Sequence, residues 1–400
     1  MSKILLKDLP LKGKKVLIRV DFNVPLDNRG RITDDARLEA SLPTIKDVLE
    51  RGGIPILMSH LGRPKGRVVP ELSLAPCAKR LAAMLGSPVI MASDAIGEEV
   101  KRLIDNLQTG ETLLLENLRF HPAEEQPAVD PTFAEKLSEL GEVYVNDAFG
   151  TAHRIHSSTV AIVKYFPGRA AAGLLLEKEV QFLGEALRKP RRPFYALIGG
   201  AKVSTKLGII KSLIKNIDSL LIGGAMAFTF LKALNVSIGQ SLYQPELVDT
   251  AKGILDSFQK AGVALKLPLD HVIVKQQDQE GPIEVVDNTR GIPPGYMGMD
   301  IGPKTVELYE KELGNAATIL WNGPVGMFEM PQFAKGTRAL AEAIADIKAT
   351  KIVGGGDSVA AIRSANLVHR FTHLSTGGGA CLEYIERGTL PAIEALEHAG

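Results

Sequence analysis

Short apolar runs alternate with amphipathic stretches along the first half of the chain. Four of these runs have the length of buried strands: residues 16–20, 54–59, 112–116 and 143–146. Apolar positions with helical spacing lie between them, over residues 37–51, 75–85 and 132–140. Alternation of strand and helix predicts βαβ units and a parallel sheet.

The same alternation restarts in the second half. Strands are predicted over residues 194–198, 219–222, 264–267, 318–321 and 351–353, and helices over 204–215, 228–234, 248–261, 332–346 and 357–365. Because 400 residues are too many for one ordinary core, we expect two similar-sized α/β domains. We predict a first domain over 1–172, a connecting helix over 173–189 and a second domain over 190–389, with the tail 390–400 packing on the first.

Composition and charge restrict the class of protein. The chain is 45% hydrophobic and 23% charged, which predicts a soluble globular protein. Its 47 basic and 46 acidic residues leave a net charge of +1, which argues against a nucleic-acid or membrane surface. Two cysteines without metal-ligand spacing, charges throughout residues 1–20 and no run of 18 apolar residues favour a cytoplasmic protein.

Charged and amide side chains follow the strands of the first half. The carboxyl ends of parallel strands meet at one edge of a sheet, where such folds bind ligands. The side chains expected there are Asp21, Asn23, His60, Arg63, Arg119, His153 and Arg154, joined by Arg37 at the start of the first helix. Taken singly, each could be a solvated loop residue. Four arginines at one edge indicate a site for carboxylate and phosphate groups.

Glycines follow the strands of the second half, where they let a backbone approach a ligand closely. The run Gly199-Gly200-Ala201-Lys202 leads into a predicted helix that also contains Lys206. If both lysines lie in that helix, they share one face and could reach a polyphosphate; the alternative is a surface lysine pair. A helix that starts just after such glycines presents free N–H groups to an anion.

A second glycine run, Gly354-Gly355-Gly356, is followed by Asp357 and Ser358 at a predicted helix start. These two side chains could cap the helix, or Asp357 could hold a magnesium ion beside phosphates, and the sequence does not decide between the two. The turn from Trp321 to Glu329 offers an amide and a carboxylate suited to ribose, and the segment from Ile222 to Phe228 a slot for a flat base. Neither a Walker motif nor a dinucleotide glycine motif occurs.

Seven segments, in this order along the chain, resemble the phosphoglycerate kinase family. They are 19–25, 59–64, 115–120, 146–153, 199–202, 321–329 and 354–358. The resemblance implies two mainly parallel sheets flanked by helices, in domains that face each other across a hinged cleft. It also implies reversible phosphoryl transfer between 1,3-bisphosphoglycerate and MgADP, giving 3-phosphoglycerate and MgATP.

The resemblance further implies roles for particular residues. The acid's site would contain Asp21, Asn23, Arg37, His60, Leu61, Gly62, Arg63, Arg119 and Arg154. The nucleotide site would contain Gly200, Ala201, Lys202, Lys206, Gly224, Gly298, Asn322, Glu329, Gly355, Gly356, Asp357 and Ser358. Arg37, Lys202 and Lys206 would be catalytic, Asp357 would hold Mg²⁺, and the protein would be a monomer that bends at a hinge.

The chemistry of such a transfer agrees with these residue types. Both acceptor groups, a carboxylate and an ADP phosphate, are anionic at neutral pH, so no general base is required and positioning with charge neutralisation suffices. Two other classes remain as alternatives. A two-lobed solute-binding protein would normally carry a secretion signal, and a dehydrogenase would normally carry the dinucleotide motif.

Overall fold

The computed structural model describes residues 5–276 and 283–399. The chain forms two compact units. One consists of Met1–Gln181 together with Thr389–Gly400, and the other of Phe182–Gly388. The first unit is therefore built from two separate stretches of chain, whereas the second is continuous.

The first unit is built on a six-stranded parallel sheet. Its strands are β1 (Lys15–Arg19), β2 (Ile54–Met58), β3 (Val89–Met91), β4 (Thr112–Leu114), β5 (Val143–Asn146) and β6 (Ala170–Ala172), in the spatial order β3-β4-β2-β1-β5-β6. Its helices before the connection are α1 (Ala36–Glu50), α2 (Ala75–Leu85), α3 (Glu98–Asn106), α4 (Pro122–Glu125) and α5 (Thr132–Ser138). All five residues of β2 are buried, as expected for a parallel strand covered on both faces.

Helix α6 (Leu174–Arg188) contains the point at which the chain passes from the first unit to the second. In the first unit, Asp147 follows β5 and its Oδ1 accepts the N–H groups of Leu175 and Leu176 at 2.9 and 3.3 Å. Thr44 Oγ1 accepts the N–H of Leu174 at 2.9 Å. These bonds satisfy the free N–H groups of the first turn and fix where the helix begins.

The second unit contains a six-stranded parallel sheet and a small antiparallel one. Its strands are β7 (Phe194–Ile198), β8 (Ser219–Ile222), β9 (Ala264–Lys266), β10 (Asp270–Val274), β11 (Glu284–Asp287), β12 (Met297–Ile301), β13 (Thr318–Asn322), β14 (Thr350–Gly354) and β15 (His373–Leu374). The parallel order is β15-β14-β13-β7-β8-β9, and the antiparallel order is β11-β10-β12. Its helices are α7 (Leu207–Leu213), α8 (Met226–Ala233), α9 (Val248–Ala261), α10 (Pro303–Leu313), α11 (Lys335–Asp346), α12 (Gly356–Ser364) and α13 (Gly379–Arg387).

The last helix, α14 (Pro391–His398), belongs to the first unit. The Ala392 N–H donates to the Ala152 carbonyl at 3.1 Å, and the Gly168 N–H donates to the Ala399 carbonyl at 2.7 Å. Ile393 and Leu396 are buried by this packing.

The predicted fold class of two mainly parallel sheets flanked by helices is confirmed. Several predicted bounds were wrong: the helix predicted over residues 204–215 runs only from Leu207 to Leu213, and the helix predicted over 332–346 begins only at Lys335. A separate 3-10 turn, Val203–Thr205, precedes α7, and Thr205 Oγ1 donates to the Lys202 carbonyl at 2.9 Å. Among the helices of the described residues, none combines the length and apolar character needed to cross a membrane.

Candidate active site

The carboxyl edge of the first unit's sheet holds a buried carboxylate paired with an arginine. Asp21 follows β1 and is 7% exposed, and its Oδ2 accepts a hydrogen bond from Arg37 Nη1. Burial alone would raise the pKa of Asp21, but the positive charges of Arg37 and Arg19 bring it below its ordinary value. Gly150 has no room for a side chain, because a Cβ there would run into the Asp21 carboxylate. The pair therefore holds one face of Arg37 and leaves its other N–H groups for a ligand.

His60 lies beside this pair and is held neutral. Its Nδ1 is 3.2 Å from Arg19 Nη2 and 4.0 Å from Asp21 Oδ1. Burial lowers the pKa of His60 well below its ordinary value; Asp21 opposes this, while Arg19, Arg119 and Arg37 add to it. Because an arginine can only donate, Nδ1 is the acceptor and the proton of the neutral ring is on Nε2.

Arg19 itself is fully buried and belongs to a charged network beneath the edge. Its Nε donates to Ser158 Oγ at 2.8 Å, and its Nη2 lies 3.9 Å from Glu124 Oε1. Ser158 Oγ in turn donates to Glu124 Oε1 at 2.6 Å. Glu124 has no exposed surface, and burial would raise its pKa, but His156, Arg19 and Ser158 bring it below the ordinary value. This network supplies a fixed platform for His60.

A second cluster orders the loop that follows β2. Asn23 Oδ1 accepts the Gly62 N–H at 2.9 Å, and Arg119 Nη1 donates to the Gly62 carbonyl at 2.8 Å. The Asn117 amide clamps the neighbouring Leu61 from both sides, with bonds of 3.2 and 2.7 Å to its N–H and carbonyl. These bonds fix the loop that carries the predicted binding residues.

Arginines concentrate positive charge at this edge. Arg119 is nearly buried, and its Nε lies 3.0 Å from Glu125 Oε1. Burial lowers the pKa of Arg119; Glu125 and Glu124 oppose this, whereas Arg19 and Arg154 add to it. Arg154 is exposed and donates from Nε to the adjacent His153 at 3.0 Å, and Arg63 is exposed in its loop. The edge can therefore receive an anion through several forked donors.

In the second unit, the turns that follow three parallel strands interlock. The Gly199 and Gly200 N–H groups donate to the carbonyls of Asn322 and Pro324 at 2.8 and 2.9 Å, and the Gly224 N–H donates to the Val325 carbonyl at 2.9 Å. A Cβ on Gly199 would lie 2.7 Å from the Gly323 carbonyl oxygen. Glycine is required here because the backbones of adjacent turns are in contact.

These turns open on a cavity of about 280 Å³. The residues lining it are Gly200, Ala201, Gly224, Ala225, Phe228, Leu242, Pro268, His271, Met297, Gly298, Met299, Asp300, Ile301, Pro324, Val325, Gly326, Met327, Glu329 and Asp357. Six of the predicted nucleotide residues are among them: Gly200, Ala201, Gly224, Gly298, Glu329 and Asp357. Glycines and apolar side chains predominate, and three carboxylates, Asp300, Glu329 and Asp357, also line the cavity. The cavity therefore suits a flat ring joined to a polar group.

Lys206 and Asn322 form a polar pair at the strand ends. Lys206 Nζ donates to Asn322 Oδ1. Burial lowers the pKa of Lys206, and Cys381 and Asp357 oppose this. Within the described residues, Nδ2 of Asn322 has no hydrogen-bond partner. The two lysines do not share a helical face, because Lys202 precedes the 3-10 turn and Lys206 precedes α7.

Helix α12 begins at the glycine run without a side-chain cap. Its N-cap is Gly355, at φ +95°, a conformation that favours glycine, and no side chain bonds to the cap position in the described part of the chain. Ser358 Oγ instead accepts the Gly323 N–H at 2.7 Å, and Asp357 is exposed in the first turn. The capping role considered for Asp357 and Ser358 is therefore wrong, and the first N–H groups of the helix are available to an anion.

The residues at this helix start fit a magnesium ion held together with phosphates. Within residues 5–276 and 283–399 there is no cluster of three or more metal-ligating side chains that could form an all-protein site. Asp357, in the first turn of α12, is the carboxylate that lines the cavity at the start of this helix. Magnesium commonly binds through one carboxylate, water and phosphate oxygens, which is the donor set possible here.

Sequence reasoning missed three groups that the structure brings to these sites. Arg19 begins the motif over residues 19–25, but its partner Glu124 is distant in sequence. Asp300 lines the cavity, accepts the Gly336 N–H at 2.7 Å and would collide with a Cβ on Gly326. His271 has no recognisable motif around it in the sequence, yet it lines the cavity. All three are identified by contacts between residues that are distant in sequence, and a local sequence pattern does not show such contacts.

The fold places the chain among two-domain α/β proteins with polar sites at the carboxyl edges of parallel sheets. A family model described as phosphoglycerate kinase matches residues 6–388. A phosphoglycerate kinase from Dictyoglomus turgidum is 51% identical over 393 residues, covering 98% of this chain and 98% of that protein. One from Chlorobaculum tepidum is 51% identical over 399 residues, covering 99% and 100%.

Solved structures agree with these sequences. The structure of phosphoglycerate kinase from Coxiella burnetii matches with a TM-score of 0.87 at 38% identity, and the crystal structure of the enzyme from Pyrococcus horikoshii with 0.87 at 34%. Each covers 99% of both chains. The chain belongs to the phosphoglycerate kinase family. The assignment as a glycolytic kinase is confirmed, and the dehydrogenase and solute-binding alternatives are set aside.

Proposed function

We propose that this chain transfers a phosphoryl group directly and reversibly between 1,3-bisphosphoglycerate and MgADP, giving 3-phosphoglycerate and MgATP. The observation that carries the proposal is the presence, in one chain, of an arginine-rich sheet edge and of a glycine-lined cavity at which a helix begins uncapped. The first suits a small phosphorylated acid and the second a nucleotide.

The acid's site is assigned to the first unit. Arg37, fixed by Asp21, and Arg119, fixed against the Gly62 carbonyl, offer their remaining N–H groups to carboxylate and phosphate. Neutral His60 adds a single Nε2–H donor. Asn23, Leu61 and Gly62 position the loop, and Arg63 and Arg154 supply exposed charge.

The nucleotide site is assigned to the second unit. Gly355 and Gly356 bring the start of α12 to the phosphates, and Glu329 accepts from ribose hydroxyls. Gly200, Ala201, Gly224 and Gly298 line the slot for the base. Lys206 is oriented by Asn322 and interacts electrostatically with Asp357. Ser358 holds the Gly323 turn in place.

Asp357 would hold Mg²⁺ bound with ADP or ATP, and the ion would neutralise charge on the phosphate oxygens. The chain's own contribution is positioning and charge. Arg37 and Lys202, assisted by Lys206, grip the transferred group. No side chain has to remove a proton, because both acceptor oxygens are already ionised.

Direct transfer requires that the two ligands meet. Domain closure is therefore part of the proposal, with hinge candidates in residues 173–189 and at the glycine run from Gly377. Closure would also exclude water from the acyl phosphate. Small-angle scattering with both substrates should show a more compact particle than either substrate alone; identical curves would count against closure. We further propose a cytoplasmic monomer, to be checked by light scattering.

A coupled assay tests the activity. The protein is mixed with 3-phosphoglycerate and MgATP, and the acyl phosphate formed is reduced with NADH. We expect magnesium-dependent NADH loss that is abolished in Lys202→Ala and retained in Lys260→Ala, an exposed lysine in the last turn of α9. Folded wild-type protein without turnover would refute the proposed function.

A further inference from the structure

His271 occupies the wall of the cavity in the second unit. It lies on β10, is 2% exposed and lines the cavity. The charged residue on the same strand is its neighbour Asp270. Its ring packs against Phe228, with centroids 5.0 Å apart at an angle of 49°. Gly298 keeps the adjacent wall flat, since a Cβ there would collide with the Phe228 ring. The walls here are those of a slot for a planar ring.

The hydrogen bonds around His271 determine which ring nitrogen carries the proton. Asn288 Nδ2 lies 2.6 Å from the Pro268 carbonyl oxygen, which can only accept, so the amide nitrogen must face Pro268. Asn288 Oδ1 therefore faces His271 Nε2, at 2.9 Å, and can only accept from it. The proton of the neutral ring is on Nε2, and among the described residues none donates a hydrogen bond to the lone pair of Nδ1.

The ring is also kept neutral. Burial lowers the pKa of His271, and the Asn288 bond and Asp270 only partly oppose this. At pH 7 and above, Nδ1 is consequently an acceptor and not a donor. A ligand edge placed against it must present an N–H group.

We propose that His271 Nδ1 accepts a hydrogen bond from the 6-amino group of a bound purine, so that the site prefers adenine to 6-oxo purines. This inference rests on the proposed nucleotide-binding function. A 6-oxo base would place its carbonyl oxygen against the Nδ1 lone pair, which leaves two acceptors facing each other. The discrimination comes from one neutral hydrogen bond in a site that is largely shielded from water.

Inosine diphosphate is the appropriate probe, because it differs from ADP in carrying oxygen at position 6 and a proton on N1. Titration calorimetry at fixed magnesium should show ADP binding about fivefold to tenfold more tightly than inosine diphosphate, the factor for one neutral hydrogen bond. His271→Phe keeps the ring packing but removes the acceptor. In that variant the preference should fall below about twofold, mainly through weaker ADP binding.

His369→Phe, an exposed histidine outside the cavity, is the matched control and should keep the wild-type preference. Equal affinities in the wild type, or an unchanged preference in His271→Phe, would overturn the assignment while leaving the nucleotide site intact. Failure of the wild type to bind either nucleotide would overturn the proposed function and this inference with it.

The protonation of the ring can be measured without any nucleotide. In a ¹⁵N imidazole spectrum, the signals of His271 are those lost in His271→Phe. They should show a protonated Nε2 and an unprotonated Nδ1. The opposite tautomer, or a doubly protonated ring at pH 7, would overturn the proposal.

Discussion

Gly356→Ala separates a requirement of the ligand from a requirement of the fold. Gly356 is the first residue of α12, and a Cβ built on it has no atom within 4 Å, while its φ lies outside the left-handed region. The substitution therefore meets no protein atom. If phosphates approach the start of this helix as proposed, the added methyl group will meet only the ligand.

The two expected effects have opposite signs. Stability should stay constant or rise, because alanine is favoured over glycine by about 1 kcal/mol inside a helix and by less at its first residue. Nucleotide binding should weaken, because the methyl group displaces phosphate oxygens from backbone N–H groups. Loss of one charge-assisted hydrogen bond costs roughly 1.5–3 kcal/mol, which corresponds to about tenfold to a hundredfold in affinity.

Titration with MgADP and thermal unfolding of the same sample measure both quantities. Gly253→Ala is the control: it also meets no atom within 4 Å, and it lies inside α9. It should stabilise the protein by about 0.5–1 kcal/mol and leave ADP affinity unchanged. Unaltered affinity in a folded Gly356→Ala protein would refute the reasoning, since the phosphates would then bind elsewhere.

Three further results are expected. Arg37→Ala should reduce turnover about a hundredfold while ADP affinity stays nearly constant, and equal losses in kinetics and titration would contradict its role. Because the folded pKa of Asp21 is depressed, its stabilising effect is complete above the unfolded value of 3.8 and is lost as the pH falls through the folded pKa. In acid unfolding followed by circular dichroism, the stability of Asp21→Asn should therefore fall less steeply with pH below 3.8 than that of the wild type. Superimposable curves would show that Asp21 does not contribute to acid unfolding. Gly199→Ala should destabilise the second unit by about 1–3 kcal/mol, because its Cβ meets backbone atoms of the Gly323 turn. Displacement of the Gly323 turn should also change the fluorescence of Trp321, whose Nε1 donates to the Gly323 carbonyl at 2.8 Å. An unchanged emission spectrum together with wild-type stability would contradict this prediction.

Elements with a strong local pattern could be predicted from the sequence. The bounds of β5, β7, β8, α2 and α9 in the structure are those predicted. The antiparallel sheet of β10, β11 and β12 was not predicted, because its strands are recognisable only from their pairing in the folded chain. Strand β11 has two exposed residues and one buried one, and β12 begins Met297-Gly298-Met299, so neither shows the continuous apolar run of a buried strand.

The candidate site divides in the same way. The arginine and glycine motifs are contiguous in sequence, so their residues could be named from the chain alone. The partners that orient them are distant: 139 residues separate Arg19 from Ser158, and 116 separate Lys206 from Asn322. His271 depends on an amide 17 residues away whose orientation is set by a carbonyl. Such contacts arise only when the chain folds, and a sequence pattern does not encode them locally.

The return of α14 to the first unit has a consequence for biosynthesis. Ribosomes release a chain from its amino terminus, and domains tend to fold as they emerge. Here the second unit is continuous and has all its residues available by Gly388, whereas the first unit is incomplete until Thr389–Gly400 has been translated. Until then, the surface around Leu5, Leu176 and Val180 lacks Ile393 and Leu396, whose burial contributes about 2 kcal/mol each. The nascent chain therefore exposes an apolar patch that a chaperone can bind until α14 has been translated and covers it.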